Sequence, residues 1–356
     1  MNGSELLRGI RSGLNLLVIP VLSVVAAMAV SGILIATQGV NPIHAYEVLL
    51  VSAFGSVDSL AITFTKATPL ILSGLAVAIG LRAGLFNIGA QGQLISGALA
   101  SAWAGYALDL PTIIHIPVAL LFGAFFGALV GSIAGILKAY RGVHEVITTI
   151  MLNSIVIALA DYLSSQPFKE PDQPLTRTPA ILESARIPEF LGLPFGFFIA
   201  LAMSFAMWWI LRNTTSGFRI DTVGKNKSAA WYAGISVKRS IIIAMVAGGA
   251  IAGVAGAIET QSIIGRFSPS YNAGLGFDGI TVALLGRANP IGVIPAAILI
   301  GGMRASGATV QFEAGVAPEL VDLLLGMILF FVTAPLLANL LKRKQSAISL
   351  SGGWGK

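Results

Sequence analysis

Arg212 to Arg239 reads RNTTSGFRIDTVGKNKSAAWYAGISVKR, and it is a polar island in a chain that is otherwise mostly apolar. Its six basic residues, Arg212, Arg219, Lys225, Lys227, Lys238 and Arg239, face the single acid Asp221, so this segment carries +5 of the formal +6 of the whole sequence. Long hydrophobic runs flank it on both sides. Excess positive charge confined to one connection between apolar runs is the mark of a membrane protein whose Lys and Arg are held on one side of the bilayer.

Composition agrees. Of 356 residues, 55% are hydrophobic and 11% charged, with a mean hydropathy of +0.85, against roughly 25% charged residues in an ordinary soluble domain. The sequence is that of an all-α, polytopic membrane protein. A pI near 9.7 does not imply nucleic acid, because the basic residues lie between apolar runs and form no exposed stripe. Cysteine is absent, which removes disulfides, thiolate metal sites and cysteine nucleophiles.

Working outward from the island, stretches near the ~20 residues needed to cross hydrocarbon number ten: about 14–37, 58–81, 87–108, 114–138, 144–164, 195–212, 240–262, 275–288, 290–310 and 319–341. The first follows Arg8 and Arg11, and Ala27-Met28-Ala29 could serve as a cleavage pattern. The run is longer than the core of a secretory signal, so it reads as a retained span. Strict alternation puts Arg8/Arg11, Arg82, Lys138/Arg141, the island, Arg287 and Lys342-Arg343-Lys344 on one side, so both termini are expected in the cytoplasm. One transmembrane domain, 1–356, then comprises a first half of about 1–212, a cytoplasmic loop 213–239, a second half of about 240–341 and a cytoplasmic tail 342–356. Segments two to five begin outside and seven to ten inside, the pattern of an inverted repeat with its pathway between the halves.

The connections near 38–57 and 165–194 fall on the other side. The latter carries six prolines (Pro167, Pro171, Pro174, Pro179, Pro188 and Pro194) and reads as a loop or short cap. Gly123, Gly127, Gly131 and Gly135 in one segment, and Gly248, Gly249, Gly253 and Gly256 in another, form small-residue stripes that let helix backbones approach closely. They read as packing within the chain.

No enzyme constellation is found. The chain has no Walker A motif, since Gly224-Lys225 is followed by Asn226, and no G-x-S-x-G. His44, His115 and His144 sit near span ends without partners at metal-ligand spacing. The functional candidates are the polar groups expected inside the membrane, Asn87, Gln91, Gln93, Asn153, Asp161, Glu259, Gln261 and Asp278, because burying them unpaired is costly. Asp161 and Glu259 fall near external span ends, where water could solvate them. Glycines around Asn87 and Asp278 can break helices, which is tolerated at membrane depth only where backbone is buried or lines a cavity. Side-chain amides at such breaks suit a neutral, hydrogen-bonding solute or bonds between helices. Within the island, Ser228 to Ile235 reads as a short helix capped by Ser228 and ended by Gly234. The residues allow either a protruding knob or a helix resting on anionic lipid.

Four motifs in order, GLFNIGAQGQ (84–93), EVITTIMLNSI (145–155), GKNKSAAWYAGI (224–235) and GFDGITVALLGRANPIG (276–292), resemble the permease subunits of bacterial ABC importers. Within the branched-chain amino acid and ribose permease superfamily, the sequence is most similar to nucleoside importer permeases that work with basic membrane lipoproteins. The resemblance implies a type II importer-like fold of about ten spans in the bacterial inner membrane. It implies a non-catalytic transport subunit that binds no cofactor itself, with ATP used by a separate ABC ATPase. It also implies a second permease subunit forming a heterodimer and an extracytoplasmic substrate-binding lipoprotein. Ser228, Ala229, Ala230, Tyr232, Ala233, Gly234 and Ile235 are the expected ATPase-coupling residues; all but Ser228 match the docking segment, whose usual start is replaced here by Lys227-Ser228. Asn87, Gln91, Gln93, Asn153, Glu259, Phe277 and Asp278 are the expected pathway residues. The expected substrate is a nucleoside, with a sugar or a branched-chain amino acid as the alternative. An ion-coupled secondary transporter would instead depend on Asp161, Glu259 or Asp278, and a non-transporting membrane scaffold would show no solute flux at all.

Overall fold

The computed structural model describes residues 21–190, 192–269, 274–317, 319–320 and 322–333. The expected start of the first span, the final part of the last one and the tail 342–356 lie outside the described residues. The chain divides into two compact units, Ser52–Ala305 and the described residues of Met1–Val51 with Ser306–Lys356. Six described helices are long and apolar enough to cross a membrane: Val57–Arg82, Thr112–Arg141, Glu145–Ser165, Phe195–Asn213, Val237–Ile264 and Pro290–Ala314. Shorter apolar helices cover Val21–Thr37, Pro42–Phe54, Leu275–Leu285 and Asp322–Thr333. The protein is thus helical and multi-pass, but a count of ten full crossings does not follow. Leu275–Leu285 has 11 residues, about 17 Å at 1.5 Å per residue, far short of a ~30 Å hydrocarbon core.

The smaller unit contains α1 (Val21–Thr37), most of α2 (Pro42–Phe54), the end of α12 (Pro290–Ala314) and α13 (Asp322–Thr333). Helix α2 replaces the plain connection expected at 38–57. Pro42 opens it and the Asn41 carboxamide accepts from Ile43 N at 3.0 Å, a start for which proline's fixed φ is suited. Tyr46 Oη donates to Met28 O at 2.5 Å and Ser306 Oγ to Leu49 O at 2.9 Å, so polar side chains tie backbone carbonyls within this unit.

The larger unit is built on α3 (Val57–Arg82), whose apolar window is 78% buried, against 28% for α5 (Thr112–Arg141) and 22% for α6 (Glu145–Ser165). A helix apolar all round and buried all round is a core element; the outer two keep apolar faces that suit lipid. Around α3 lie α4 (Ala90–Ala107), α7 (Phe195–Asn213), α8 (Thr215–Lys225), α10 (Val237–Ile258) and α11 (Leu275–Leu285), while α9 (Lys227–Tyr232) packs on α8 and α10 and a π-helical turn over Glu259–Ile264 continues α10 against α4.

The two glycine stripes meet each other. Gly123, Gly127 and Gly131 of α5 lie against Gly249, Gly253 and the Met245 backbone of α10, while Gly97 of α4 meets Gly253 from another side. A methyl on Gly253 would stand 2.9 Å from the Gly123 carbonyl carbon and 3.1 Å from Gly127 Cα. Three backbones therefore touch where side chains would hold them apart.

The proline-rich segment is an ordered cap. It holds a short 3₁₀ turn, Glu183–Ala185, and a minimal antiparallel hairpin of β1 (Glu189–Phe190) and β2 (Leu193–Pro194). Glu170 accepts from Arg177 at 2.6 Å and Arg266 at 2.7 Å. Thr178 N donates to Phe267 O at 3.0 Å and Ile181 N to Gly265 O at 2.9 Å. His115 is fully buried and bonds Ser184 Oγ and Ala104 O, at 2.8 and 3.1 Å, so it pins the cap to α4 and α5.

Overpacking a tight core costs about 1–3 kcal/mol or more, and Gly253 meets backbone that cannot rotate away. Gly253→Val is expected to lower the thermal unfolding midpoint of the detergent-purified protein sharply. Gly307→Ala, where no atom lies within 4 Å, should leave it unchanged or raise it slightly.

Candidate functional site

Helix α3 ends in a left-handed residue, Gly84 (φ +72°), with Gly84 N donating to Leu81 O at 3.0 Å and Leu85 N to Gly80 O at 2.9 Å. This is a Schellman end, and it turns the chain sharply into the bend 85–89 that precedes α4. A break inside the protein frees backbone donors and acceptors that must be met internally. The expected pathway residues meet them. Asn87 Nδ2 donates to Gln93 Oε1 at 3.0 Å and Gln93 Nε2 returns to Asn87 Oδ1 at 3.3 Å, while the same Oδ1 accepts from Gly89 N at 3.1 Å. Asn153 reaches across from α6, donating to Ile88 O at 3.0 Å and accepting from Gly92 N at 2.8 Å. Gln91 Oε1 accepts from Gly276 N at 2.7 Å and so fastens the first turn of α11 to α4. All four amides are buried. The structure brings them together as a cage around the α3–α4 break.

Glu259, Phe277 and Asp278 make none of those hydrogen bonds. Asp278, in the first turn of α11, pairs with Arg304 of α12, and Phe277 beside it is 45% exposed. Glu259 opens the π-turn and is only 3% exposed, which corrects the expectation that water could solvate it near a span end. Its Oε2 is enclosed without a hydrogen-bond partner, as are Gln261 Oε1 and Ser262 Oγ on the same turn. The positive charge acting on Glu259 is Lys66 of α3, with no salt bridge joining them among the described residues. Asp161 is exposed and lines an open cavity of about 790 Å3 under the proline-rich cap, with Tyr162, Arg177 and Arg266. The two cations Lys66 and Arg304 are absent from the sequence-based candidates. A lone Lys or Arg within an apolar run was the available signal for both.

At the other end of α10 the polar island folds as two helices. Helix α9 is capped by Asn226, whose side chain accepts from Ala229 N at 3.0 Å, and not by Ser228 as expected. The helix therefore starts one residue before Ser228. It ends as foreseen at Gly234 (φ +76°), with Gly234 N donating to Trp231 O at 3.0 Å and Ile235 N to Ala230 O at 2.9 Å. Ala230 and Ile235 are buried with Val223 of α8. Ser228, Ala229, Tyr232, Ala233 and Gly234 face outward, Tyr232 being 82% exposed and packed edge-on to Trp231 at 5.1 Å.

Helix α8 seats this knob. Its Asp221 forms a two-pronged ion pair with Arg82, the last residue of α3. Gly224 of α8 also lies so close to the Arg82, Ala83 and Gly84 backbone that a side chain could not enter. An outward-facing handle is thus fixed, through α8, to the helix whose end forms the buried break.

A multi-pass helical chain with an amide-caged break and an exposed, rigidly seated handle defines a membrane transport component. The sequence matches the family model for the branched-chain amino acid transport system / permease component over residues 59–333, and the chain belongs to that family. It is 38% identical over 335 residues to the guanosine ABC transporter permease protein NupP of Bacillus subtilis (strain 168), covering 90% of this chain and 94% of that protein. It is 36% identical to the nucleoside ABC transporter permease protein NupB of Lactococcus lactis subsp. cremoris (94% and 95% covered). It is 33% identical to the glucose ABC transporter permease protein TsgB13 of Haloferax volcanii (88% and 86% covered).

Asn153→Ala removes one donor and one acceptor and strands Ile88 O and Gly92 N in a buried site, at about 1–3 kcal/mol for each orphaned group. The expected outcome is a lower unfolding midpoint and new proteolytic cleavage within residues 85–92. Unaltered proteolysis would show that the break is held by other contacts.

Proposed function

We propose that this chain is the permease subunit of an ABC importer that carries nucleosides handed over by an extracytoplasmic binding lipoprotein. A separate ATPase supplies hydrolysis and grips α9, and a second permease completes the pathway as a heterodimer. The permease family supports the role, and the relatives named for guanosine and nucleosides support the substrate. The observation that carries the mechanism is the handle. Its outer face, Ser228, Ala229, Tyr232, Ala233 and Gly234, is free, while Ala230, Ile235, Asp221 and Gly224 lock its inner side to α3. A push on α9 is therefore delivered to α3 and to the Asn87 break as a rigid-body motion, as alternating access requires. In this reading the α8–α9 side is cytoplasmic, as its positive excess suggests, and both termini share it.

Enclosed acceptors without donors on the π-turn, Glu259 Oε2, Gln261 Oε1 and Ser262 Oγ, suit a solute rich in hydroxyl or amino donors. The glucose relative favours a second reading, a sugar, and ribose and glucose share the hydroxyls such acceptors would meet. In this reading the amide cage shapes the pathway wall and Phe277 and Asp278 border it. An ion-coupled carrier would need a carboxylate free to exchange its cation; Asp278 is held by Arg304, which leaves such a carrier Glu259 or Asp161.

Tyr232→Ala and Gly234→Val, the latter forcing a β-branched residue into a positive φ, are expected to leave the protein folded in the membrane. In proteoliposomes with its ATPase, uptake should fall at least about tenfold, on the scale of one lost hot-spot side chain. Normal ATP-driven uptake by both variants would remove α9 as the handle. Glu259→Gln should lower nucleoside uptake about tenfold to a hundredfold, the scale of a hydrogen bond to a charged group, with ATPase capture unchanged. Unaltered uptake would take Glu259 off the pathway.

A further inference from the structure

A cavity of about 330 Å3 opens between α8, the α9–α10 connection and the first turns of α10. Its walls bring together Arg219, Arg239 and the serines Ser216, Ser236 and Ser240, with Ile243 at one edge and no acidic residue. Among the described residues neither guanidinium enters an ion pair, and the one acid of the segment, Asp221, is committed to Arg82. Two like charges facing one cleft without a counterion repel each other, and a phosphate with its several acceptor oxygens is the anion their planar donors fit best.

The level of the cavity in the molecule narrows the source. Ile243, one turn along α10 from Arg239, is an exposed apolar side chain on a spanning helix. Cations sit over aromatic rings at two neighbouring helix ends, Arg212 over Trp208 at 5.5 Å and Lys238 over Tyr140 at 5.0 Å, the pairing found where helices leave the bilayer. We propose that this cavity binds a phosphate-bearing anion, with the phosphodiester headgroup of an anionic lipid at the arginines and its acyl chain along Ile243. Because Gly234, Ile235 and Ser236 form one wall, occupancy braces the joint between α9 and α10, and the lipid becomes a brace for the handle whatever protein the handle meets.

The test uses the full chain purified in detergent, with retained phosphatidylglycerol read by native mass spectrometry and inorganic phosphate titrated separately by calorimetry. The wild type is expected to retain the lipid. Arg219→Gln and Arg239→Gln should each lower retention about fivefold, the scale of one basic residue at an anionic surface. The pair Arg141→Gln and Lys225→Gln, equal in charge but outside the cavity, should have no such effect. Arginine-dependent binding of inorganic phosphate with no retained lipid supports the anion site and assigns it to a soluble phosphate. Equal loss in both pairs of variants, or no binding of either probe, overturns the proposal. Variants at Arg219 and Arg239 that keep the lipid yet no longer capture an ATPase also overturn it, and give these arginines to a protein contact.

Discussion

Backbone against backbone at Gly253 is the contact on which the larger unit depends. Helix α10 runs with its π-turn from Val237 to Ile264, 28 residues, about 40 Å at 1.5 Å per residue. At its middle it is held by α5 on one side and α4 on another, with glycine where each would otherwise need room. Lipid offers no hydrophobic drive for helices to associate, so close van der Waals approach has to do that work. Gly248, one turn away, places the same helix against Ala76 O of α3 and near the Asn87 side chain. The seam thus positions α10 relative to the helix break as well as to its neighbours.

Fixing the middle of a long helix makes its two ends answer to each other. One end carries Glu259 and the π-turn, whose wide turn leaves polar groups enclosed and unsatisfied. The other leads through Ser236 into the Schellman end of α9. Helix α3 runs alongside, with Lys66 acting on Glu259 and Arg82 clamped to α8. Helices α3 and α10 thus both reach the α8–α9 handle, and α10 also carries the enclosed acceptors of the π-turn. The amide cage has the opposite character, since each of its main donors and acceptors is spent on protein.

Much of this was legible in the residues and some was not. The glycine stripes announced a close contact because spacing at i, i+4 puts small residues on one helix face. The positive-φ stop at Gly234 was readable because only glycine adopts it without strain. The Asn226 cap was not, since Asn and Ser are equally good caps and only tertiary contacts at Ala230 decide the register. Helix α2 reads as a connection in the sequence because its 13 residues fall below spanning length. Helix α8 leaves no local signal of its seat, because that seat is an ion pair with a residue 139 positions away. Asn87 and Gln93 were visible as buried amides, but their mutual bonds depend on a bend whose shape is set by α6 and α11.

The central claim is that this chain forms a pathway driven from outside itself, through α9. The most direct test is transport in sealed proteoliposomes containing this chain, a candidate second permease and ATPase, and a nucleoside-loaded binding lipoprotein. The account predicts inward nucleoside flux that requires ATP and vanishes when any of these partners is omitted. Nucleoside accumulation by this chain alone under a proton or sodium gradient would contradict it.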